Sequence, residues 1–292
     1  MPEGDSLARV EAQLGPVLTG RTLSGGSLRV PALATVRLQG RTVQNVSAYG
    51  KHLFMDLSGT ATADGVSGGA VLHSHLSMEG RWVALPAGAR IPAPAAKIRA
   101  VLEVPPGPGL PGARVAGIEL GTLEALTPSE RDALVADLGP DPIHAWDEER
   151  ALALLSADPA RPLGLALLDQ RIVAGIGNIF RCECLFLARM DPFGPVGAHS
   201  EAELARLLGI CAEQLQVNAT RASRRTTPAT SRERYWVYGR AGRPCPRGHG
   251  PVRRTLWGDP ALLARRVGGR VGDTRPVERE IYWCPQCQPA VS

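Results

Sequence analysis

Four metal-competent side chains near the C-terminal end constrain this chain more tightly than any other feature: Cys245-Pro-Arg-Gly-His249 and Cys284-Pro-Gln-Cys287. Each pair is short enough to sit on one tight turn. Three thiolates and one imidazole meet the needs of tetrahedral zinc, with Zn–S at about 2.3 Å and Zn–N at about 2.0–2.1 Å. Four protein ligands leave no position for substrate, so one structural Zn2+ is expected, stapling a segment too small to fold on its own apolar core. The spacer of 34 residues between His249 and Cys284 is long for a ribbon and points to an insertion around Trp257–Arg275. Cys182, Cys184 and Cys211 lie in apolar, helical surroundings and read as small buried hydrophobes.

The charge around that quartet is lopsided. From Ala219 to Ser292 there are 15 arginines against 5 acids, a net of +10, whereas the whole chain is +5 and the first 218 residues are therefore −5. A basic tail on a mildly acidic body suits a polyanion, because neutralised phosphates release counterions. Only Lys51 and Lys97 are lysines among 33 basic residues, so each stands out against an arginine background. Hydrophobic residues at 44% and charged ones at 21% exclude a wholly disordered chain. No apolar run approaches the roughly 20 residues of a membrane span. The start MPEGDSLARV lacks the layout of a secretory signal, so an intracellular, water-soluble protein is expected.

At 292 residues, two or three domains are expected. The first third reads as short strands broken by turn residues: Thr35–Leu38, Thr42–Val46 and His52–Leu57, then VLHSHLSMEGRWVAL and KIRAVLEV. That spacing predicts an antiparallel sandwich or barrel. A helix precedes it, with Leu7, Val10, Leu14 and Val17 on one face and Asp5 placed as N-cap; Gly15-Pro16 weakens its end. Helical patterns follow in TPSERDALVADLG, DEERALALLSA and PLGLALLDQ. A longer one carries Leu204, Leu207, Leu208, Cys211 and Leu215 at buried-face spacing. Between them a turn with Gly175 and Gly177 leads to Asn178 as a natural N-cap. Residues 223–234 are polar and basic and predict a flexible loop. The expected domains are 1–125, 126–222 and 223–292.

At the N-terminus, removal of Met1 would leave Pro2 with a free secondary amine, a usable nucleophile near neutral pH because an α-amino group titrates near 8. Glu3 beside it is a candidate proton donor.

MPEGD at the start, YGKHL around Lys51, LGPDP at 138–142, LLDQRIVAGIGNIFRCECLF at 167–186, VYGR at 237–240 and REIYWCPQCQ at 279–288 occur in that order over nearly the whole chain. Together they resemble the formamidopyrimidine-DNA glycosylase / endonuclease VIII family of DNA repair enzymes, on the endonuclease VIII side in its actinobacterial form. The resemblance implies an α+β multidomain fold: an N-terminal β-sandwich with a leading helix, a helix–two-turns–helix domain and a C-terminal zinc-finger hairpin, with DNA in the cleft between lobes. It implies Pro2 as Schiff-base nucleophile, Glu3 as acid, Lys51 as a phosphate-contacting lysine that assists β-elimination, and Arg279 as the finger arginine of δ-elimination. Asn178 matches the asparagine that holds backbone phosphate, and Arg181 and Glu183 match family positions at the DNA side. Met78, in Ser77-Met78-Glu79, is a candidate to fill the void left by the extruded base, against the plainer reading of a strand methionine in the core.

The chain departs from the family at Ser6, which replaces a second acid, at Asp137, which stands where some relatives carry arginine, and in its Cys-His-Cys-Cys ligand set. The implied activity is excision of oxidised bases, pyrimidines first, followed by β,δ-elimination. Oxidised-purine excision and zinc-dependent binding of damaged DNA without cleavage are the rivals. Damaged double-stranded DNA is the expected partner, with single-stranded and bubble DNA as further candidates; no membrane contact, a monomer and a cytoplasmic enzyme acting at the nucleoid complete the expectation.

Overall fold

The computed structural model describes residues 2–59, 70–258 and 279–291. By its internal contacts the chain divides into two compact units, Met1–Pro2 with Ser6–Val135 and Glu3–Asp5 with Ala136–Ser292.

In the first unit, α1 (Gly4–Leu18) buries Leu7, Leu14 and Leu18, with Val10 and Val17 packed beside them. The helix runs through Pro16 in its last turn, where the missing N–H leaves the carbonyl four residues earlier without its helical donor just before the helix ends at Leu18. Asp5 is inside the first turn rather than at the cap, and its carboxylate is used elsewhere. Nine strands follow among the described residues: β1 (Arg21–Thr22), β2 (Gly25–Leu28), β3 (Thr42–Tyr49), β4 (His52–Leu57), β5 (Ala70–His75), β6 (Arg81–Pro86), β7 (Ile98–Val104), β8 (Ala113–Ile118) and β9 (Thr122–Leu126). They form two antiparallel sheets, ordered β1-β3-β4-β5-β9 and β2-β7-β8-β6. Strand alternation builds the layers. Leu53, Met55 and Leu57 of β4 join Leu102 and Val115 of the other sheet in one core. Phe54 points the opposite way and packs with Val71, Leu126 and, from α2 (Pro128–Ala136), Leu134 and Val135. The segment Thr35–Leu38, expected as a strand, is not one. It follows a 3-10 turn opened by Pro31, and buries Leu33 and Leu38 without pairing to a sheet.

The second unit holds α3 (Glu148–Ser156), α4 (Leu163–Ala166), α5 (Asn178–Ala188), α6 (Glu201–Ala219) and a hairpin of β10 (Arg253–Trp257) and β11 (Arg279–Trp283). Asp147 caps α3, and Ser200 with Glu203 forms a capping box on α6. Leu204, Leu207, Leu208, Cys211 and Leu215 of α6 enter a core with Phe180, Cys184 and Leu185 of α5. α4 spans only four residues of the expected PLGLALLDQ helix. The cap of α5 is Gly177; Asn178, expected there, is the first helical residue.

Residues 223–234 are irregular but not loose. Arg224, Thr226 and Thr227 are buried, and Nη1 of Arg225 donates to the carbonyls of Pro228, Ser231 and Glu233. The expected insertion around Trp257–Arg275 lies, from residue 259 on, outside the described residues. Among the described residues no helix is long and apolar enough to cross a membrane.

Candidate active site and metal centre

Glu3 is fully buried in the second unit, and its carboxylate closes on the start of α5. Oε2 accepts from the amides of Gly177 at 2.9 Å and Phe180 at 3.3 Å, and Oε1 from that of Ile179 at 2.8 Å. Helix starts leave amides without intrahelical partners and carry the positive end of the dipole, so a carboxylate belongs there. Gly177 makes the approach possible: a Cβ on it would lie 2.5 Å from Cδ of Glu3. The amide of Gly4 donates to the carbonyl of Gly175 at 2.9 Å, which ties the chain start to the same turn. Gly175 has φ +94°, a conformation that favours glycine.

A cation the sequence reading missed completes this arrangement. Arg224 forks onto Asp5, with Nε 2.8 Å from Oδ2 and Nη2 on Oδ1, and its Nη1 lies 3.8 Å from Oε1 of Glu3. Its guanidinium also stacks 5.0 Å from the Phe180 ring centre.

The motif residues of α5 turn inward. Asn178 is buried; its Nδ2 donates to the Glu280 carbonyl at 2.8 Å and its Oδ1 accepts from Arg181. Arg181 is fully buried, with Nε and Nη1 lacking hydrogen-bond partners. Burial lowers its guanidinium from the ordinary value, with nearby Arg279 adding to the effect. Two neighbouring guanidinium groups, one with unsatisfied donors, make an anion-seeking corner. The structure gives Glu183 a different job from touching DNA. Its carboxylate is wholly buried and accepts from the amides of Trp236, Val237 and Tyr238 at 2.7, 2.9 and 2.8 Å and from the Thr226 hydroxyl. Desolvation raises its acid above the ordinary range despite those donors. Glu183 anchors the segment 226–238 to α5.

In the first unit, Gly50 (φ +56°) and Lys51 form the two-residue turn between β3 and β4, which presents the lysine at a hairpin tip. Beside it runs a chain the sequence reading also missed: Nδ1 of His52 lies 2.8 Å from Nε2 of His73, whose Nδ1 lies 2.9 Å from Oε1 of Glu124. Burial holds His52 well below its ordinary value, with His75, His73 and Lys51 adding repulsion. Met78 is 54% exposed in the turn after β5, so the plainer reading of a core methionine is corrected. The turn is shaped by Ser77 at φ +57° and by its amide donating to Nδ1 of His75 at 3.0 Å. Pro2 is half-buried.

Cys245, His249, Cys284 and Cys287 converge, their ligand atoms all within 4.8 Å of one another. The Cys245 and Cys287 sulfurs are 3.6 Å apart, close to the edge of roughly 3.7 Å that tetrahedral zinc with bonds of about 2.3 Å requires. Donor set and spacing fit a structural zinc. Asp137 pairs with Arg171 at 3.0 Å. Arg279 is half-buried and opens β11, paired in register with Trp257 at the hairpin end away from the metal ligands.

Two family models match the chain: the formamidopyrimidine-DNA glycosylase N-terminal domain over residues 1–111 and the H2TH domain of the same glycosylase over 138–228. A protein named probable endonuclease 8 2 from Streptomyces coelicolor is 41% identical over 99% of this chain and 94% of its own length. One named DNA-(apurinic or apyrimidinic site) lyase Nei2 from Mycolicibacterium smegmatis is 39% identical over 99% of this chain and all of its own. Among solved structures, the Lactococcus lactis formamidopyrimidine-DNA glycosylase bound to abasic-site DNA superposes with a TM-score of 0.73 at 20% identity, over 99% of this chain and 100% of that one. That likeness is one of fold.

Proposed function

The chain belongs to the formamidopyrimidine-DNA glycosylase / endonuclease VIII family, and on that premise we propose that it is a base-excision repair enzyme, a bifunctional DNA glycosylase and abasic-site lyase acting on damaged DNA. The observation that carries this reading is the Glu3 carboxylate, buried and held by three amides of α5 one residue from Pro2.

A base inside a duplex is out of reach, so the nucleotide is turned out first, at a cost of a few kcal/mol that is least for damaged pairs. The Pro2 nitrogen then bonds to C1′ as the base leaves with the electrons of its glycosidic bond, and Glu3 gives its proton to O4′ as the C1′–O4′ bond breaks and the sugar ring opens. The resulting iminium ion acidifies the C2′ proton. Its loss expels the 3′ phosphate, and a second elimination expels the 5′ phosphate, leaving a gap with phosphate at both ends. Lys51 and Arg279 hold phosphate and serve the β and δ steps. Asn178 and Arg181, buried and bonded to each other, brace the start of α5 and the Glu280 carbonyl of β11 beside the backbone-phosphate site assigned to Arg279. Exposed Met78 enters the space the base vacates. Cys245, His249, Cys284 and Cys287 would hold the zinc, which supports the hairpin and supplies no chemistry.

Oxidised pyrimidines are the preferred lesions, a reading supported by relatives named endonuclease 8. Duplex DNA is the main substrate, with bubble and single-stranded DNA also accepted, and the enzyme works as a cytoplasmic monomer. The test is a panel of defined-lesion oligonucleotides scored for cleavage and borohydride trapping. Oxidised-pyrimidine and abasic substrates should give a covalent adduct at Pro2, weakened by Pro2→Gly and abolished when Met1 is retained. Trapping at a lysine with Pro2 blocked overturns the assignment.

A further inference from the structure

Arg224 lies in a segment whose composition reads as a solvated loop, outside the short motifs on which the resemblance rests. Yet it is only 8% exposed, forked on Asp5, stacked on Phe180 and 3.8 Å from Glu3. Asp5 sits two residues from Glu3 in the first turn of α1, so a fork that fixes Asp5 also limits where Glu3 can lie. Titratable groups from two elements also act on Glu3 and Asp5. Tyr235 and Tyr238 lie in the same segment as Arg224, and Arg181 and Cys184 on α5. Burial pushes both tyrosines and Cys184 above their ordinary values, so they carry no charge at working pH. Buried Glu183, on α5, adds a more distant acid that also acts on Tyr235. Arg224 therefore directly faces two buried carboxylates, while Arg181 is seated on Asn178.

We propose that Arg224 is a positioning residue for base excision: it holds Glu3 in place through Asp5 and supplies the charge that receives the carboxylate Glu3 becomes on giving up its proton. The inference rests on the reading of Glu3 as the excision acid. When Glu3 protonates the sugar, its own O–H bond breaks and the electron pair stays on the carboxylate. A cation within about 4–6 Å favours that charged product over the neutral acid. A preformed abasic site has no base to expel, so its cleavage leans less on this step.

The experiment measures single-turnover excision from an oxidised-pyrimidine duplex and cleavage of a preformed abasic duplex, each across pH. Arg224→Gln should slow excision roughly 10–100-fold, since one pKa unit is about tenfold, and leave abasic-site cleavage within roughly three-fold. The alkaline limb of its excision profile should move to higher pH, because the variant no longer favours the charged product. Arg224→Lys, which keeps the charge, should restore the limb. Equal loss on both substrates with an unmoved limb would overturn the proposal and leave Arg224 a packing residue. If Arg224→Gln fails to fold, Asp5→Asn carries the test. It keeps the cation and removes a like charge, so the limb should fall, and an unmoved or raised limb overturns the idea. Glu3→Gln runs alongside: if it retains excision, the reading of Glu3 has failed, whereas normal excision by Arg224→Gln beside an inactive Glu3→Gln sinks this proposal alone.

Discussion

Gly177→Ala is the smallest change that should dismantle the Glu3 site. The backbone at 177 is extended, φ −123° and ψ −161°, so alanine is allowed there. The obstacle is space: the new Cβ would lie 2.5, 2.6 and 2.7 Å from Cδ, Cγ and Oε1 of Glu3. A side-chain end can yield more easily than backbone, so the carboxylate should swing away from α5. That strands the amides of Gly177, Ile179 and Phe180, which donate to the Glu3 carboxylate at the helix start. Overpacking costs about 1–3 kcal/mol, and each stranded buried donor about 1–3 more. Alanine offsets about 0.4–1 kcal/mol of this by stiffening the unfolded chain. Summed over the three amides, these terms give a net loss of about 3–12 kcal/mol, which should lower the melting temperature by roughly 6 °C or more at about 2–4 °C per kcal/mol. Excision should fall with the displaced acid while abasic-site cleavage falls less. Differential scanning calorimetry and the two-substrate assay check both parts. An alanine variant with wild-type melting and full excision would refute the claim that Gly177 makes room for a pinned carboxylate.

Three further outcomes are expected. Metal analysis should find one zinc per chain, released by Cys284→Ser or His249→Ala with local loss of the finger, because binding energy there is folding energy; full zinc and full cleavage in His249→Ala would rule out the Cys-His-Cys-Cys site. Arg279→Ala should keep the zinc but weaken DNA binding and flatten its salt dependence by about one unit of slope, and an unchanged slope would remove Arg279 from the phosphate contacts. Glu183→Ala should strand three amides and the Thr226 hydroxyl, each costing about 1–3 kcal/mol if left buried. Limited trypsin digestion should then cut at Arg225, Arg232 or Arg234 far faster than in the parent, and equal protection would contradict the anchoring role.

The elements legible in the sequence were those with a strong period and a local stop. β4 alternates through Leu53, Phe54, Met55 and Leu57, and α6 carries its capping box and buried face on contiguous residues. Thr35–Leu38 misled because β-branched composition says nothing about a partner strand, and the chain there follows a Pro31 turn instead. Asn178 misled in another way. Its side chain could cap a helix, but Glu3 supplies the acceptor for those amides, which frees the asparagine to sit one residue further in.

The site divides along the same line. The zinc quartet and the Pro2-Glu3 start are read locally because each pair of groups shares one short segment. The contact between Arg224 and Asp5 joins residues 219 positions apart, and the chain from His52 through His73 to Glu124 crosses three strands. Nothing in either neighbourhood marks the partner. This also explains why residues 223–234 were misjudged. A polar segment stays solvated only when no buried acceptor elsewhere matches its donors. Here two buried carboxylates, Asp5 and Glu183, await donors from this stretch and the residues just after it, and each would be costly to leave unpaired. Arg224, Thr226 and the amides of Trp236–Tyr238 meet that need. The order of the segment is thus set by charges on α1 and α5. Reading it requires asking of each buried acid in a helix which distant donor makes its burial tolerable.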